Sequence, residues 1–93
     1  METAELHRRM GELCDSPFLG EILRQIVLAR AMHPPINSLH EGYAVLAEEV
    51  EEFWEEVRKK SADRDYHNAR LELAQVCAVA WRIVHDVLYE GAP

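Results

Sequence analysis

Glutamates dominate one stretch of the sequence, and their spacing could serve the chemistry of a divalent cation. Positions 41 to 56 contain seven glutamates and no basic residue. On a helix, like charges four residues apart oppose each other by about 0.2–0.5 kcal/mol per pair. The two lysines that follow can offset only the last two acids of the run. Glu48, Glu49 and Glu52 therefore lack a local counter-charge.

The direction of each acid on its helix separates those that could meet a ligand from those that face solvent. At about 100° per residue, Glu49 and Glu52 lie on one flank of an apolar stripe. Glu72 and Gln75 lie at the same offset on the last predicted helix. Two antiparallel helices could therefore direct three carboxylates and one amide into one cleft. Oxygen ligands of this kind suit Mg²⁺, which typically bridges protein carboxylates to substrate phosphates.

Three further side chains are candidates for extending such a site. Asp86 lies on the same flank as Gln75, about three turns further along the helix, and could replace a missing acid. Arg82 shares that flank, and both Arg82 and Lys59 could contact phosphate oxygens. The competing interpretation is that an acidic run is a solvated helix face and that these cations are ordinary surface charges.

The elements that must position these residues are predicted to be helical throughout. No segment alternates apolar and polar residues with period two, so the fold class is all-α. The 93 residues make one domain, residues 1–93, with an N-terminal extension over residues 1–16 that includes a short helix at about 3–13. The next helix starts at Ser16-Pro17 and ends before the two prolines at 34 and 35.

Two long helices are predicted over residues 39–60 and 65–90, with Gly91 as a stop signal. Ser38 and Glu41 fit a capping box at the start of the first. The short loop between them indicates an antiparallel hairpin. Each helix carries an apolar stripe that is expected to face the core. The stripe residues are Leu39, Tyr43, Leu46, Val50, Phe53 and Val57 on the first helix, and Ala69, Leu73, Val76, Ala80, Val84 and Val87 on the second.

Composition excludes several functional classes. Seventeen acids against ten bases give a formal charge of −7, which argues against a nucleic-acid polymer as partner. No run of 18 apolar residues indicates a membrane span, and the first residues do not form a signal peptide, so a cytoplasmic location is expected. Two cysteines outside any CxxC spacing favour neither a disulfide scaffold nor a zinc site. A chain this short has a modest core, which favours self-association.

Two short motifs resemble those of a known family. The segment EEVEE at 48–52 fits an EExxE pattern, and ELAQ at 72–75 nearly fits ExxD. This pair resembles the signature of the MazG-like, all-α nucleoside triphosphate pyrophosphohydrolases. The resemblance covers about residues 22–88, and the stretch HPPINSLHEGYAVLAEEVEEFWEEVRKK is similar to the short MazG-like proteins of phages and bacteria.

The resemblance implies both a fold and an activity. The fold would be a bundle built on a helical hairpin, with a four-helix core completed by oligomerisation as a homodimer or homotetramer. The activity would be cleavage of a (deoxy)nucleoside triphosphate to the monophosphate and pyrophosphate, with Mg²⁺, or Mn²⁺ in its place, between the central helices. By position, Glu49, Glu52 and Glu72 match the metal ligands, and Glu48 matches an additional acid that helps hold metal or water and that is the best candidate to orient or deprotonate that water.

The sequence departs from the family at Gln75, where the family has an aspartate. The carbonyl oxygen of glutamine is a weaker Mg²⁺ ligand than a carboxylate and cannot act as a base. Two alternatives to the enzyme therefore stay open. One is a catalytically degenerate module that binds nucleotide, metal or a protein partner without turnover. The other is a plain helical protein in which the acids only confer solubility.

Overall fold

The computed structural model describes residues 1–89, and every regular element in this range is helical. Four α-helices follow one another: α1 (Thr3–Leu13), α2 (Pro17–Met32), α3 (Leu39–Val57) and α4 (Tyr66–Ile83). A 3-10 turn, Ser61–Asp63, lies between α3 and α4, and a π-helical segment, Val84–Tyr89, continues α4. The predicted all-α class is confirmed. None of the helices within residues 1–89 is long and apolar enough to cross a membrane.

Polar side chains fix the starts of the three packed helices. Ser16 accepts from the backbone N–H of Leu19 at the start of α2, where Pro17 is the first helical residue. Ser38 Oγ lies 3.0 Å from the backbone nitrogen of Glu41 and caps α3. The Asp65 carboxylate caps α4 by accepting from a backbone N–H one turn into the helix. These contacts satisfy N–H groups that have no partner inside the helix.

The ends of the long helices differ from the predicted bounds. The first ends at Val57 rather than at residue 60, because Lys60 has left helical geometry, with ψ of 146°. The second is α-helical only to Ile83, after which the hydrogen-bond pattern widens to that of a π-helix. The predicted stop at Gly91 lies outside the described residues.

Helix α4 lies between α2 and α3 and packs against both. The buried apolar residues are few and mostly small: Ile26, Ile36, Ala74, Ala78 and Val79. Small side chains on α4 let its neighbours approach closely. By contrast, α1 has no buried residue.

Gly42 of α3 packs tightly against Ile83 of α4. A Cβ atom at this position would lie only 2.8 Å from Cγ1 of Ile83. The absence of a side chain at Gly42 therefore allows the two helices to pack with their polar flanks facing each other.

Half of the predicted apolar stripe of α3 is exposed. Tyr43 is 74% exposed, Leu39 is 54% exposed and Val50 is 47% exposed, whereas Leu46, Phe53 and Val57 are half-buried. The prediction that the three exposed residues face the core of the protomer is wrong, because the flank of α3 that carries Gly42 packs against α4 instead. Leu39, Tyr43 and Val50 form an outer apolar surface, which also includes the half-exposed Trp54.

Candidate functional site

Three glutamates converge between α3 and α4. Each of Glu49, Glu52 and Glu72 offers a carboxylate oxygen that lies within 4.8 Å of the other two. Glu49 and Glu52 are three residues apart, so they lie on one helix face, and the antiparallel packing of α4 brings Glu72 opposite them. Glu49 and Glu72 are half-buried, and Glu52 is exposed. A group of oxygen ligands from two helices, open on one side, could bind a divalent cation.

The electrostatics of this cluster favour protonation when no cation compensates the charges. Burial, assisted by the charges of Glu52 and Glu72, raises the pKa of Glu49 from 4.5 to about 7. Burial also raises the pKa of Glu72, with the hydrogen bond and charge of Glu52 as the next causes. A divalent cation would reverse this effect by favouring the charged carboxylates.

Gln75 lies beside the cluster and contacts it through its amide. With the amide nitrogen facing the acids, it donates to Glu49 Oε2 at 3.1 Å and to Glu72 Oε2 at 3.3 Å. This orientation follows from the acceptors around it. Gln75 thus acts here as a donor that draws the two carboxylates together, whereas an aspartate at the same position would add a further negative charge.

A pocket of about 530 Å³ opens next to the cluster, between α2, α3 and α4. Glu48, Glu49 and Gln75 form part of its lining, and apolar side chains of all three helices form much of the rest. Glu48 is exposed, so a water molecule could reach it from solvent. Glu48 lies outside the group formed by Glu49, Glu52 and Glu72, and its role in holding metal or water stays a prediction.

The structure does not place Asp86 in the acidic cluster. Asp86 is 8% exposed, and its Oδ2 accepts from the backbone N–H of Ile36 at 3.0 Å. Its Oδ1 lies 3.6 Å from the Arg30 guanidinium. The eleven-residue separation from Gln75 corresponds to about 16 Å along a helix, which is too far to share one ion. Asp86 therefore anchors the loop between α2 and α3.

The two cations predicted to contact substrate have different surroundings. Lys59 Nζ lies 3.0 Å from the carboxylate of Glu56, so its position is explained by a local ion pair and not by the pocket. Arg82 is buried and lines the pocket.

One glutamate with an important structural role was missed from the sequence. Glu56 is 3% exposed and accepts from the backbone N–H of Asp65, from Asn68 Nδ2 and from Lys59. The Asp65 N–H, followed by Asn68 and Lys59, lowers the pKa of Glu56 from 4.5 to about 2. The signal that could have found it is the Asp65 cap, because a hairpin places the start of α4 beside the end of α3.

Comparisons of this chain with protein-family models, with curated proteins and with solved structures find no match. The geometry of the site is therefore the main basis on which a function can be proposed. That geometry combines a carboxylate cluster suited to a hard cation with an adjoining pocket large enough for a small organic group.

Proposed function

We propose that this chain is a Mg²⁺-dependent nucleoside triphosphate pyrophosphohydrolase that converts a (d)NTP to the (d)NMP and pyrophosphate. The observation that carries the proposal is the convergence of Glu49, Glu52 and Glu72 within 4.8 Å, beside a pocket of about 530 Å³. The resemblance of the EEVEE and ELAQ segments to MazG-like motifs supports the same function.

The donor set fits Mg²⁺ or Mn²⁺, because hard oxygen ligands from two helices suit both ions. Glu49, Glu52 and Glu72 would hold the ion. When bound, it supplies positive charge for phosphate oxygens and acidifies a water molecule. Glu48, on the pocket lining next to Glu49, would orient the attacking water and accept its proton. A bond from the water oxygen to the α-phosphorus forms, and the bond from this phosphorus to the pyrophosphate oxygen breaks.

The proposed active form is an oligomer in which a second copy covers the outer apolar surface of α3. No large apolar side chain within residues 1–89 is fully buried. The core of a single chain is therefore incomplete, and self-association of the exposed Leu39, Tyr43, Val50 and Trp54 surface would complete a four-helix core. Sedimentation or light scattering tests this point, and a monomer at micromolar concentration would contradict it.

The test of the activity is pyrophosphate release from each of the eight common nucleotides in Mg²⁺ and in Mn²⁺. We expect Glu49→Gln to lower kcat/KM at least about 100-fold, because even groups one shell away from a metal change activity 10–100-fold. Glu51→Gln is the matched control, since Glu51 is an exposed glutamate on the same helix outside the cluster. No release of pyrophosphate by the unaltered protein with any nucleotide would overturn the enzymatic proposal.

The second candidate function is a MazG-like module that binds nucleotide, metal or a protein partner without turnover. The feature that favours it is Gln75, a neutral residue whose amide nitrogen, when oriented toward the acids, would donate to Glu49 and Glu72 and would stabilise them without a cation. Such a module would show Mg²⁺- or nucleotide-dependent thermal stabilisation, by linkage, without release of pyrophosphate.

A further inference from the structure

Arg82 is a buried cation without a counter-ion among residues 1–89. It is 7% exposed, and its Nε is buried without a hydrogen-bond partner. Its Nη2 donates a long hydrogen bond, of 3.4 Å, to the backbone oxygen of Pro34. The nearest acid along the helix, Asp86, is engaged by Ile36 and Arg30. A buried guanidinium with unfilled donors is unfavourable, so an acceptor from outside the chain would stabilise it.

The pocket that Arg82 lines is suited to a small organic group. Much of its wall is apolar: Leu28, Ala29, Met32, Val45, Ala78 and Val79. Mostly apolar walls with a few placed polar groups are typical of sites for small organic ligands. A phosphate group would instead need several donors around it.

The charges around the pocket disfavour an anion near Arg82. The pocket is lined by three acids, Glu41, Glu48 and Glu49, and by two basic side chains, Arg82 and His33. An occupant of this part of the pocket is therefore best neutral, and it must carry a hydrogen-bond acceptor, because a guanidinium has five donors and no acceptor.

We propose that Arg82 is the specificity-determining residue of this pocket and that the pocket takes a nucleobase through a keto oxygen. The proposal rests on the proposed function, since the phosphates of the same nucleotide would lie at the glutamate cluster. Gln75 and Arg82 both line the pocket and are seven residues apart on α4, which is about 10.5 Å along a helix. A nucleoside triphosphate is long enough to reach from one to the other.

The chemistry of Arg82 divides the bases into two groups. Guanine, hypoxanthine, uracil and thymine carry a keto oxygen at the ring position where adenine and cytosine carry an amino group. An amino group in this position would place donor against donor and leave both without a partner. With this edge of the base toward Arg82, the pocket selects the keto bases over the amino bases.

Calorimetric binding of nucleosides without metal, in chelator, tests this selection independently of turnover. Inosine and adenosine, and likewise uridine and cytidine, are paired probes that differ in the keto or amino group. We expect the keto member of each pair to bind at least about tenfold more tightly, the size of effect of one hydrogen bond to a charged group. Arg82→Met should abolish this preference, whereas Arg70→Met, an exposed arginine on the same helix, should retain it.

Equal affinity within both pairs, a preference that survives in Arg82→Met, or no nucleoside binding up to millimolar concentration would overturn the proposal. Arg82→Gln is the second variant if Arg82→Met unfolds. The amide of the introduced glutamine both donates and accepts. The difference in affinity between keto and amino nucleosides should therefore decrease while the pocket is retained. Keto preference without pyrophosphate release would overturn the proposed function alone, whereas release with no base preference would overturn the role of Arg82 alone.

Discussion

Glu49 and Glu56 lie on the same helix, two turns apart, yet their surroundings drive them in opposite directions. Both are directed toward α4. Glu49 faces the carboxylates of Glu52 and Glu72, and its pKa rises to about 7. Glu56 faces the Asp65 N–H, the Asn68 amide and Lys59, and its pKa falls to about 2.

The difference shows that burial alone does not decide the state of a carboxylate. Glu56 is the more deeply buried of the two, but fixed donors stabilise its charge. At Glu49 the neighbours are themselves acids, and within residues 1–89 the donor placed to stabilise its charge is the Gln75 amide, with its nitrogen oriented toward the acids. Glu56 therefore stabilises the hairpin, and Glu49 belongs to a site that a cation would complete.

The largest effect on stability is expected from Glu56→Gln. The variant loses the charge that attracts Lys59 and that strengthens the bonds from Asp65 and Asn68, so the start of α4 loses its anchor on α3. Thermal melts at pH 7 should show a melting temperature well below that of the unaltered protein. Glu55→Gln, an exposed neighbour, is the control. Equal melting temperatures for the two variants would contradict the role of Glu56 in stabilising the hairpin.

Gly42→Ala tests the close approach that brings the two flanks together. The added Cβ would lie 2.8 Å from Ile83 Cγ1, so we expect a loss of about 1–2 kcal/mol after the better helix propensity of alanine is included. In a domain of this size each kcal/mol lowers the melting temperature by about 4–8 °C.

Gly20→Ala in α2 is the control for helix propensity, because nothing lies within 4 Å of its Cβ position. It should gain about 0.5–1 kcal/mol. A gain in Gly42→Ala as large as the gain in Gly20→Ala would show that the packing at Gly42 is not tight.

The substitution Gln75→Asp tests how the side chain next to Glu49 and Glu72 affects cation binding and stability. A fourth carboxylate should strengthen Mg²⁺ binding by about tenfold, within the range for changes around metal ligands. It should also lower the melting temperature in chelator, since the donor to Glu49 and Glu72 is lost. Calorimetry and melts on Gln75→Asp and Gln75→Leu test this, with affinity expected to fall from Asp to Gln to Leu. The same affinity in all three would exclude Gln75 from the cation's surroundings.

The pH dependence of stability should separate the two glutamates. Glu49 has a folded pKa above its ordinary value, so its contribution is full below pH 4.5 and is lost as the pH rises to about 7. Glu56 has a folded pKa below its ordinary value, so its contribution is present above pH 4.5 and is lost as the pH falls to about 2.

In melts performed in chelator, the melting temperature should therefore depend less on pH at the upper end of this range in Glu49→Gln. It should depend less on pH at the lower end in Glu56→Gln. If both substitutions altered the melting temperature at the same end of the pH range, the opposite pKa shifts assigned to Glu49 and Glu56 would be contradicted.

Helix starts and the facing acids could be predicted from the sequence because they depend on local rules. Ser16-Pro17 and Ser38 act through bonds within one turn, and the angular offsets of Glu49 and Glu72 follow from helix periodicity. The packing face of α3 could not be predicted, because it depends on the contact between Gly42 and Ile83. Tyr43 consequently lies on the surface of the protomer although its spacing is typical of a core residue.

The remaining differences at the site also come from tertiary contacts. Asp86 matches the flank of Gln75 by angle, but the loop after α2 folds back onto it and takes its carboxylate through Ile36. Glu56 looks like one more solvated acid until the start of α4 is placed beside it. Helix periodicity gives the direction of a side chain, whereas its partners depend on which segment packs there.

The most direct test of the central claim is the pKa of the Glu49 carboxyl, measured by carbon NMR with and without Mg²⁺. We expect the Glu49 carboxyl to have a pKa of about 7 without the ion. This pKa should fall below its ordinary value when Mg²⁺ is saturating. A pKa near 4.5 in chelator, or a raised pKa that does not respond to Mg²⁺, would contradict a cation site formed by Glu49, Glu52 and Glu72.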